Sequence, residues 1–194
     1  MTTANMEREC RARIMDRRAV PVYSATPDSC TPDSFLPIDI SRSILRLVRM
    51  NITDLTQRPP RSPRVKLGGY VILPRMLDKG RAQLAGKAGE YHFACPLDQR
   101  LLSFTGLSAE EILNLLKQGK SDTEVLTWIR ERLNQNEWEI AAWSEYQNRR
   151  GPSDNESREH YNESIQKLAP DRDDLVTWFD LLEIDDYVSF GGAA

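Results

Sequence analysis

Three side chains that can bind a metal or carry a proton follow one another at intervals of three residues: His92, Cys95 and Asp98. Imidazole, thiolate and carboxylate are all ligands that zinc or iron accepts in proteins. A structural zinc site usually needs four ligands, and the second histidine, His160, lies in a different predicted helix. The three residues are therefore weak candidates for a metal site, and no metal is predicted.

The same segment offers groups for acid–base chemistry. His92 is the better proton carrier because an unperturbed imidazole titrates near neutral pH, and Tyr91 and Asp98 are the other candidate catalytic groups. His92 and Cys95 could also form a base–nucleophile pair, although the sequence does not show that they touch. The alternative is that Cys95 is a small buried apolar group and that Asp98 caps the following helix.

Basic residues precede this segment at regular spacing. Arg58, Arg61 and Arg64 recur every three residues through a proline-rich stretch, which favours polyproline II with its three residues per turn. Their guanidinium groups would then share one edge, a geometry suited to phosphate or carboxylate. Arg61 and Arg64, with Arg75 and Lys79 farther along, are the candidate ligand-binding cations. The alternative is a stiff lead-in that lies across acidic helices of the same domain.

Two adjacent glycines, Gly68 and Gly69, complete the candidate ligand-binding set. Such a pair permits positive φ and close backbone approach, and its N–H groups could cradle an anion. The spacing is not that of a P-loop. Contact between helices, or simple turn geometry, is the alternative explanation.

The charged residues of the next predicted helix also have a simpler explanation. Asp78 lies three residues from both Arg75 and Arg81, which favours ion pairs along the helix surface. A role in orienting a substrate would require this face to line a pocket, which the sequence does not show.

The charge of the chain is unevenly distributed. Of 194 residues, 40% are hydrophobic and 28% charged, as in an ordinary globular protein. Residues 50–107 hold nine Lys or Arg against four Asp or Glu, whereas residues 108–194 hold nine against nineteen. This split can steer anions toward one side of the molecule, or the two halves can attract each other within one fold.

Several protein classes are disfavoured. Three cysteines, Cys10, Cys30 and Cys95, do not suggest a disulfide framework, which favours a reducing cytoplasm. No apolar run approaches the roughly 20 residues that span a bilayer, and residues 1–30 lack the apolar stretch of a signal peptide. Nucleic acid is disfavoured because the second helix of a helix-turn-helix-like pair opens with Asp122 and Glu124. We predict a soluble cytoplasmic protein.

The elements that must position these residues form a succession of capped helices. Pro74 suits the first turn of a helix that ends near Gly86, and a short helix from Asp98 to about Thr105 ends at Gly106. Another predicted helix runs from about residue 137 to residue 149. Cap residues or capping boxes mark four later helix starts: Ser108, Ser121, Ser153 and Asp171.

This pattern predicts the fold class. Residues 90–94 alternate weakly but have no partner strand, so we expect an all-α, compact single domain of about five to seven short helices over residues 50–190. Residues 1–49 are predicted to be a mostly disordered extension, in which residues 38–50 could form one short basic amphipathic helix. The alternatives for residues 38–50 are that their amphipathic pattern is accidental or that they dock on the main domain. An alternative is that Met50 is the true start of the protein.

A series of short motifs occurs in order along the chain: PRSPR, LGGY, LPRMLDKGRA, GEYHF, CPLDQ and FTGLSAEE. Through these motifs, over about residues 50–187, the chain resembles a bacterial family known only as domain of unknown function 5069. The resemblance implies a compact helical fold and a cytoplasmic protein. It brings no established activity, cofactor or catalytic residue, and residues 1–49 look like an addition to the family pattern.

Two functions stay open. In the first, residues 58–106 form a binding or enzymatic site for a small anionic molecule. In the second, the protein is a non-enzymatic helical module that binds another protein through its basic patch, its acidic helices or residues 38–50. The first is favoured because glycine, histidine, cysteine and charged residues crowd into one stretch. The sequence does not determine whether the protein is an enzyme or whether it uses a cofactor.

Overall fold

The structure, a computed structural model, describes residues 52–193. Its regular structure within that range consists of seven α-helices: α1 Leu73–Leu84, α2 Pro96–Thr105, α3 Ala109–Lys117, α4 Asp122–Arg132, α5 Glu137–Arg149, α6 Asn155–Leu168 and α7 Trp178–Ser189. One isolated bridge, between Leu67 and Tyr70, is the β pairing found in this part of the chain. The predicted all-α fold is confirmed. The predicted extension, its short helix, Cys10 and Cys30 lie outside the described residues.

Two helix starts follow the predicted capping chemistry. Ser108 and Ser121 each accept a hydrogen bond from the N–H group of a glutamate three residues later, whose carboxylate accepts the N–H of the cap in return. The first N–H groups of a helix have no partner within the helix, so such a serine cap contributes about 1 kcal/mol. Leu107 and Ile112, which flank the first box, are both buried.

Two predicted starts are shifted by one or two residues. The helix expected at Asp98 begins at Pro96 instead, because proline is well suited to the first helical position, and Cys95 becomes its N-cap. The box expected at Ser153 is formed by Asp154 and Ser157, since the carboxylate of Asp154 accepts the N–H of Ser157 at 2.8 Å.

The last predicted cap, Asp171, is wrong. The final helix α7 begins seven residues later at Trp178, where Thr177 and Asp180 form the capping box. The N–H group of Trp178 donates to the carbonyl oxygen of Arg150 at 2.9 Å, which ties the helix start to the end of α5. Val176 lies just before this helix and is exposed.

Helix α1 is the centre of the main hydrophobic core. It packs against α2 and α3, and its N-terminal half is buried on nearly every side. The chain enters it through Ile72, which is fully buried with a φ of 70°. A β-branched residue rarely adopts this conformation, which costs about 1–3 kcal/mol and persists only where packing enforces it. A second, smaller core lies between α6 and α7.

Most of the main core comes from the region before α5. Its largest fully buried members share a position on or next to α1, α2, α3 and α4: Tyr70, Leu73, Met76, Leu77, Leu101, Ile112, Leu116 and Ile129. Phe179 of α7 joins them and closes the core from the C-terminal side. No helix within residues 52–193 combines the length and the apolar character needed to cross a bilayer.

Candidate functional site

The site begins with two basic residues that α1 carries on one face. Arg75 and Lys79 lie one helical turn apart, and each is only 3% exposed. Cations are almost never buried to this degree unless they are paired. Their partners therefore define the site.

Lys79 donates hydrogen bonds to both a carboxylate and a thiol. Its Nζ lies 2.8 Å from Oδ1 of Asp98, which is fully buried in the first turn of α2, and 3.1 Å from Sγ of Cys95. Cys95 is half-buried at the N-cap of the same helix. The second carboxylate oxygen of Asp98 is buried and has no hydrogen-bond partner within residues 52–193.

Arg75 is held by a carboxylate from the far end of the chain. Its guanidinium donates to both oxygens of Asp186 in α7, at 2.6 and 3.0 Å. The hydroxyl of Tyr91 donates to the same carboxylate at 2.8 Å, and the guanidinium also lies over the Tyr91 ring, 5.5 Å from its centroid. Bidentate pairing of this kind is the strongest that arginine makes with a carboxylate.

These residues form two hydrogen-bonded sets, one around Arg75 and one around Lys79, which α1 places one turn apart and which we together call the polar cluster: Arg75, Lys79, Tyr91, Cys95, Asp98 and Asp186. Tyr91 and Cys95 are its more exposed members. Two cations face two carboxylates, so the ion pairs balance before the thiol is counted. The arrangement keeps the thiol of Cys95 beside the ammonium of Lys79. It also lets the hydroxyl of Tyr91 donate a hydrogen bond to the carboxylate of Asp186.

Burial and charge shift the ionisation of the cluster. Burial raises the pKa of Asp98 to about 6, although Lys79 opposes this shift. Burial opposes the charged form of Lys79, but Asp98 and Cys95 outweigh it and raise the pKa of the ammonium. Burial raises the pKa of Tyr91, and Asp186 adds to that shift. Lys79 therefore stays protonated at neutral pH, and Asp98 is the group that titrates in the mildly acidic range.

Arg61 lies outside the polar cluster and links α1 to α4 beside it. Its guanidinium donates to both oxygens of Asp78 in α1, at 2.7 and 2.8 Å, and to Asp122 of α4 at 2.7 Å. Its carbonyl oxygen accepts a hydrogen bond from Arg75. The expected pairs of Asp78 within its own helix are not formed, because Arg75 pairs with Asp186 and Arg81 pairs with Asp122.

Arg64 ties the same proline-rich stretch to α7. It pairs with Asp180 and, through Nε at 3.0 Å, with Glu183, and it also reaches Thr177 Oγ1 at 3.0 Å. Arg58 is exposed and its guanidinium reaches Thr53 at 3.4 Å. The stretch therefore lies across acidic helices, as the alternative interpretation of its sequence anticipated.

Gly68 and Gly69 lie in a turn beside α4 and α5, although Gly69 itself is exposed. Both have positive φ, and a Cβ atom on Gly68 would come within 2.3 Å of the Leu126 side chain in α4. A Cβ atom on Gly69 would lie 3.1 Å from Ile140 of α5. The carbonyl oxygen of Gly69 accepts the Ser144 hydroxyl at 2.8 Å. The turn geometry and the close approach to α4 and α5 both favour glycine at these two positions.

Replacing Gly68 by alanine is expected to destabilise the protein more than the same change at Gly86. Their φ angles are 60° and 67°, so the backbone cost is similar, but nothing lies within 4 Å of a Cβ atom on Gly86. Overpacking against Leu126 then adds about 1–3 kcal/mol. Urea unfolding of the two variants measures the difference, and equal losses would mean that the turn rather than the contact requires glycine.

The structure separates His92 from the polar cluster. His92 is exposed and makes no hydrogen bond within the described part of the chain, although its neighbour Tyr91 belongs to the cluster. His92, Cys95 and Asp98 do not form a metal-ligand group, and no group of three or more His, Cys, Asp or Glu side chains suited to a metal occurs in residues 52–193.

Sequence reasoning missed Asp186 and Asp122, which supply the carboxylates for Arg75 and Arg61. One signal for Asp186 was present. It lies four residues after Leu182 and seven after Phe179, so it continues the apolar stripe of the last helix. A carboxylate in an apolar stripe indicates a buried partner of opposite charge.

A small hollow lies elsewhere in the domain. It has a volume of about 220 Å³ including its opening, and its free space holds about one water molecule. The lining is mostly apolar and includes Leu73, Met76, Leu101 and Ile129. None of the predicted site residues contributes to it.

Comparison with known proteins places the chain in a family. Residues 57–188 match the family described as a domain of unknown function, DUF5069, which covers more than half of the chain. The match includes α1 to α6 entirely, nearly all of α7, and every member of the polar cluster. A search of curated proteins finds no match. The chain therefore belongs to the DUF5069 family, whose function is not known.

Proposed function

We propose that residues 58–106, together with Asp186 of α7, form a binding or catalytic site for a small anionic molecule, and that the polar cluster is its centre. One observation supports this most: Arg75 and Lys79 are buried one turn apart beside two partly exposed groups, Tyr91 and Cys95. Burying a charged group costs several kcal/mol before its partners compensate. Buried, perturbed ionisable groups are typical of functional sites.

The titration of Asp98 gives the proposed site its charge. Above a pH of about 6 the carboxylate is ionised and balances Lys79. Below that pH it takes up a proton, and Lys79 loses its opposite charge. The cluster then gains a positive charge, so we expect an anion to bind more tightly as the pH falls from about 7 to about 5.

His92 and the two outer arginines have separate roles in this proposal. His92 is the exposed proton carrier beside the site. Arg61 and Arg64 hold the helices around the site in place, since their guanidiniums already pair with carboxylates of α1, α4 and α7. The cytoplasm is the proposed location, which the absence of a cysteine framework in the sequence supports.

Inorganic phosphate is a suitable first probe of the site. Titrated into the isotope-labelled full chain at about pH 5.5, it is expected to shift the backbone amide signals of Tyr91, His92 and Cys95. His92→Ala is expected to weaken this binding about tenfold or more while leaving the thermal midpoint nearly unchanged, because substitutions of exposed residues rarely exceed about 0.5 kcal/mol. The matched control is His160→Ala in α6, which is expected to bind phosphate like the unaltered protein.

The interaction-module hypothesis is favoured by one surface. Trp138 and Tyr146 of α5 are 69% and 61% exposed, and Ala141 and Ala142 between them are also exposed. Residues four apart are neighbours on one side of a helix, so Trp138, Ala142 and Tyr146 form a stripe, and aromatic residues are enriched at protein interfaces. If phosphate shifts no signal of the polar cluster, while a stoichiometric protein is captured by the full chain and lost from Trp138→Ser, this second function replaces the first.

A further inference from the structure

The contact between Lys79 and Cys95 is more than an ion pair requires. Asp98 alone would compensate the buried ammonium of Lys79, with Nζ and Oδ1 only 2.8 Å apart. The Sγ atom of Cys95 nevertheless lies 3.1 Å from the same nitrogen, on a residue that solvent partly reaches. The nitrogen of Lys79 therefore contacts both an oxidisable sulfur and a carboxylate whose second oxygen has no hydrogen-bond partner in the described chain.

We propose that Cys95 and Lys79 form a covalent sulfur–nitrogen bond, a sulfenamide, when a peroxide oxidises the thiol. The inference does not depend on the proposed anion site, because it uses contacts within the chain and peroxide as the co-reactant. The bond would join α1 to the N-terminus of α2. Thiol reductants would reverse it, since sulfenic acids and their condensation products are the reversible steps of cysteine oxidation.

The first step oxidises the sulfur. The ammonium of Lys79 and the N-terminus of α2 favour the thiolate of Cys95, which is the reactive form, whereas the charge of Asp98 opposes it. The thiolate attacks one oxygen of hydrogen peroxide, the O–O bond breaks, and a sulfenic acid forms. The departing hydroxide takes one proton from the Lys79 ammonium and leaves as water. Sulfur has lost two electrons and peroxide oxygen has gained them.

The second step forms the cross-link. The neutral Nζ of Lys79 attacks the sulfur, the S–O bond breaks, and Asp98 accepts the proton that the nitrogen loses. Asp98 passes this proton to the departing hydroxide, which leaves as a second water. One peroxide is consumed, two waters are produced, and Asp98 ends unchanged.

The surroundings favour the second step once the first is complete. The negative charge of Cys95 is one of the causes that hold the Lys79 pKa above its usual value. Oxidation to the sulfenic acid removes that charge. The neutral amine that the first step leaves on Lys79 is then less easily protonated again, and it is already in contact with the sulfur it attacks.

The test is a peptide map of the full chain, carrying Cys10→Ser and Cys30→Ser, after treatment with equimolar hydrogen peroxide. The expected product is lighter than the reduced protein by two hydrogen atoms. Trypsin should leave Lys79 uncleaved and release residues 76–81 linked to residues 88–100. Dithiothreitol should restore the reduced mass.

Two comparisons decide between this bond and simple oxidation. Lys79→Arg keeps a positive charge but offers a poor nucleophile, so its Cys95 is expected to gain oxygen atoms without forming the link. If the Lys79→Arg variant folds poorly, the peptide map of the protein that retains Lys79 still gives the decisive result. Oxidation of Cys95 with Lys79 still cleavable, or a link that retains an oxygen atom, would overturn the sulfenamide.

Discussion

Asp186→Ala is expected to lower the free energy of unfolding by about 3–5 kcal/mol, because it leaves the buried guanidinium of Arg75 without its carboxylate. Arginine cannot escape this cost by losing its proton, since its pKa is too high. Tyr91 would lose the acceptor of its hydroxyl at the same time. Urea unfolding of the full chain, followed by circular dichroism, measures the loss.

Two controls separate burial from simple charge removal. The exposed pair of Glu145 and Arg149 in α5 serves as the matched comparison, and Glu145→Ala is expected to cost little because water already screens it. The double variant Arg75→Met with Asp186→Leu removes both charges and is expected to lose less than Asp186→Ala alone. Equal losses for the buried and the exposed carboxylate would show that Arg75 is not desolvated.

Removing Lys79 and removing Asp98 are expected to make the free energy of unfolding change with pH in opposite directions. In Lys79→Met, the pKa of Asp98 rises beyond its present value of about 6, because burial acts without an opposing cation. The folded state then binds more protons than the unfolded state, in which an aspartate titrates near 3.9. The free energy of unfolding is therefore greatest in acid. As the pH rises, it falls by up to about 1.4 kcal/mol per pH unit until the pKa of Asp98 in the folded state is passed.

Asp98→Asn reverses the sign. Burial now lowers the pKa of Lys79 with only Cys95 to oppose it, so the folded state binds fewer protons than the unfolded state below the usual lysine pKa. Stability then rises as the pH increases toward about 10.4. Urea midpoints at about pH 5, 7 and 9 test both variants, and slopes of the same sign would contradict the pairing.

The candidate site was only partly predictable from sequence. Arg75, Lys79, Tyr91 and Asp98 were recognised as groups able to do chemistry, and the structure pairs Lys79 with Asp98 and Arg75 with Tyr91. His92 was recognised on the same grounds, yet it faces solvent. The type of a side chain limits what it can do, but its position relative to distant groups depends on how the helices pack.

The uneven charge along the chain was informative in a different way. Basic residues of the first half meet acidic residues of the second, as Arg64 does with Asp180 and Glu183, and Arg75 with Asp186. The sequence left open whether this split steers an outside anion or attracts the two halves of the fold. These ion pairs use much of the positive charge internally, which is why the proposed anion site depends on the protonation of Asp98.

The sequence by itself determined the helices and most of their ends. A helix depends on hydrogen bonds four residues apart and on caps within one turn, so the boxes at Ser108 and Ser121 could be recognised locally. Only the tertiary structure decided that Lys79 touches both Asp98 and Cys95 and that Arg75 reaches Asp186. Such partners lie far apart along the chain, and burial in the packed domain is what makes their pairing matter.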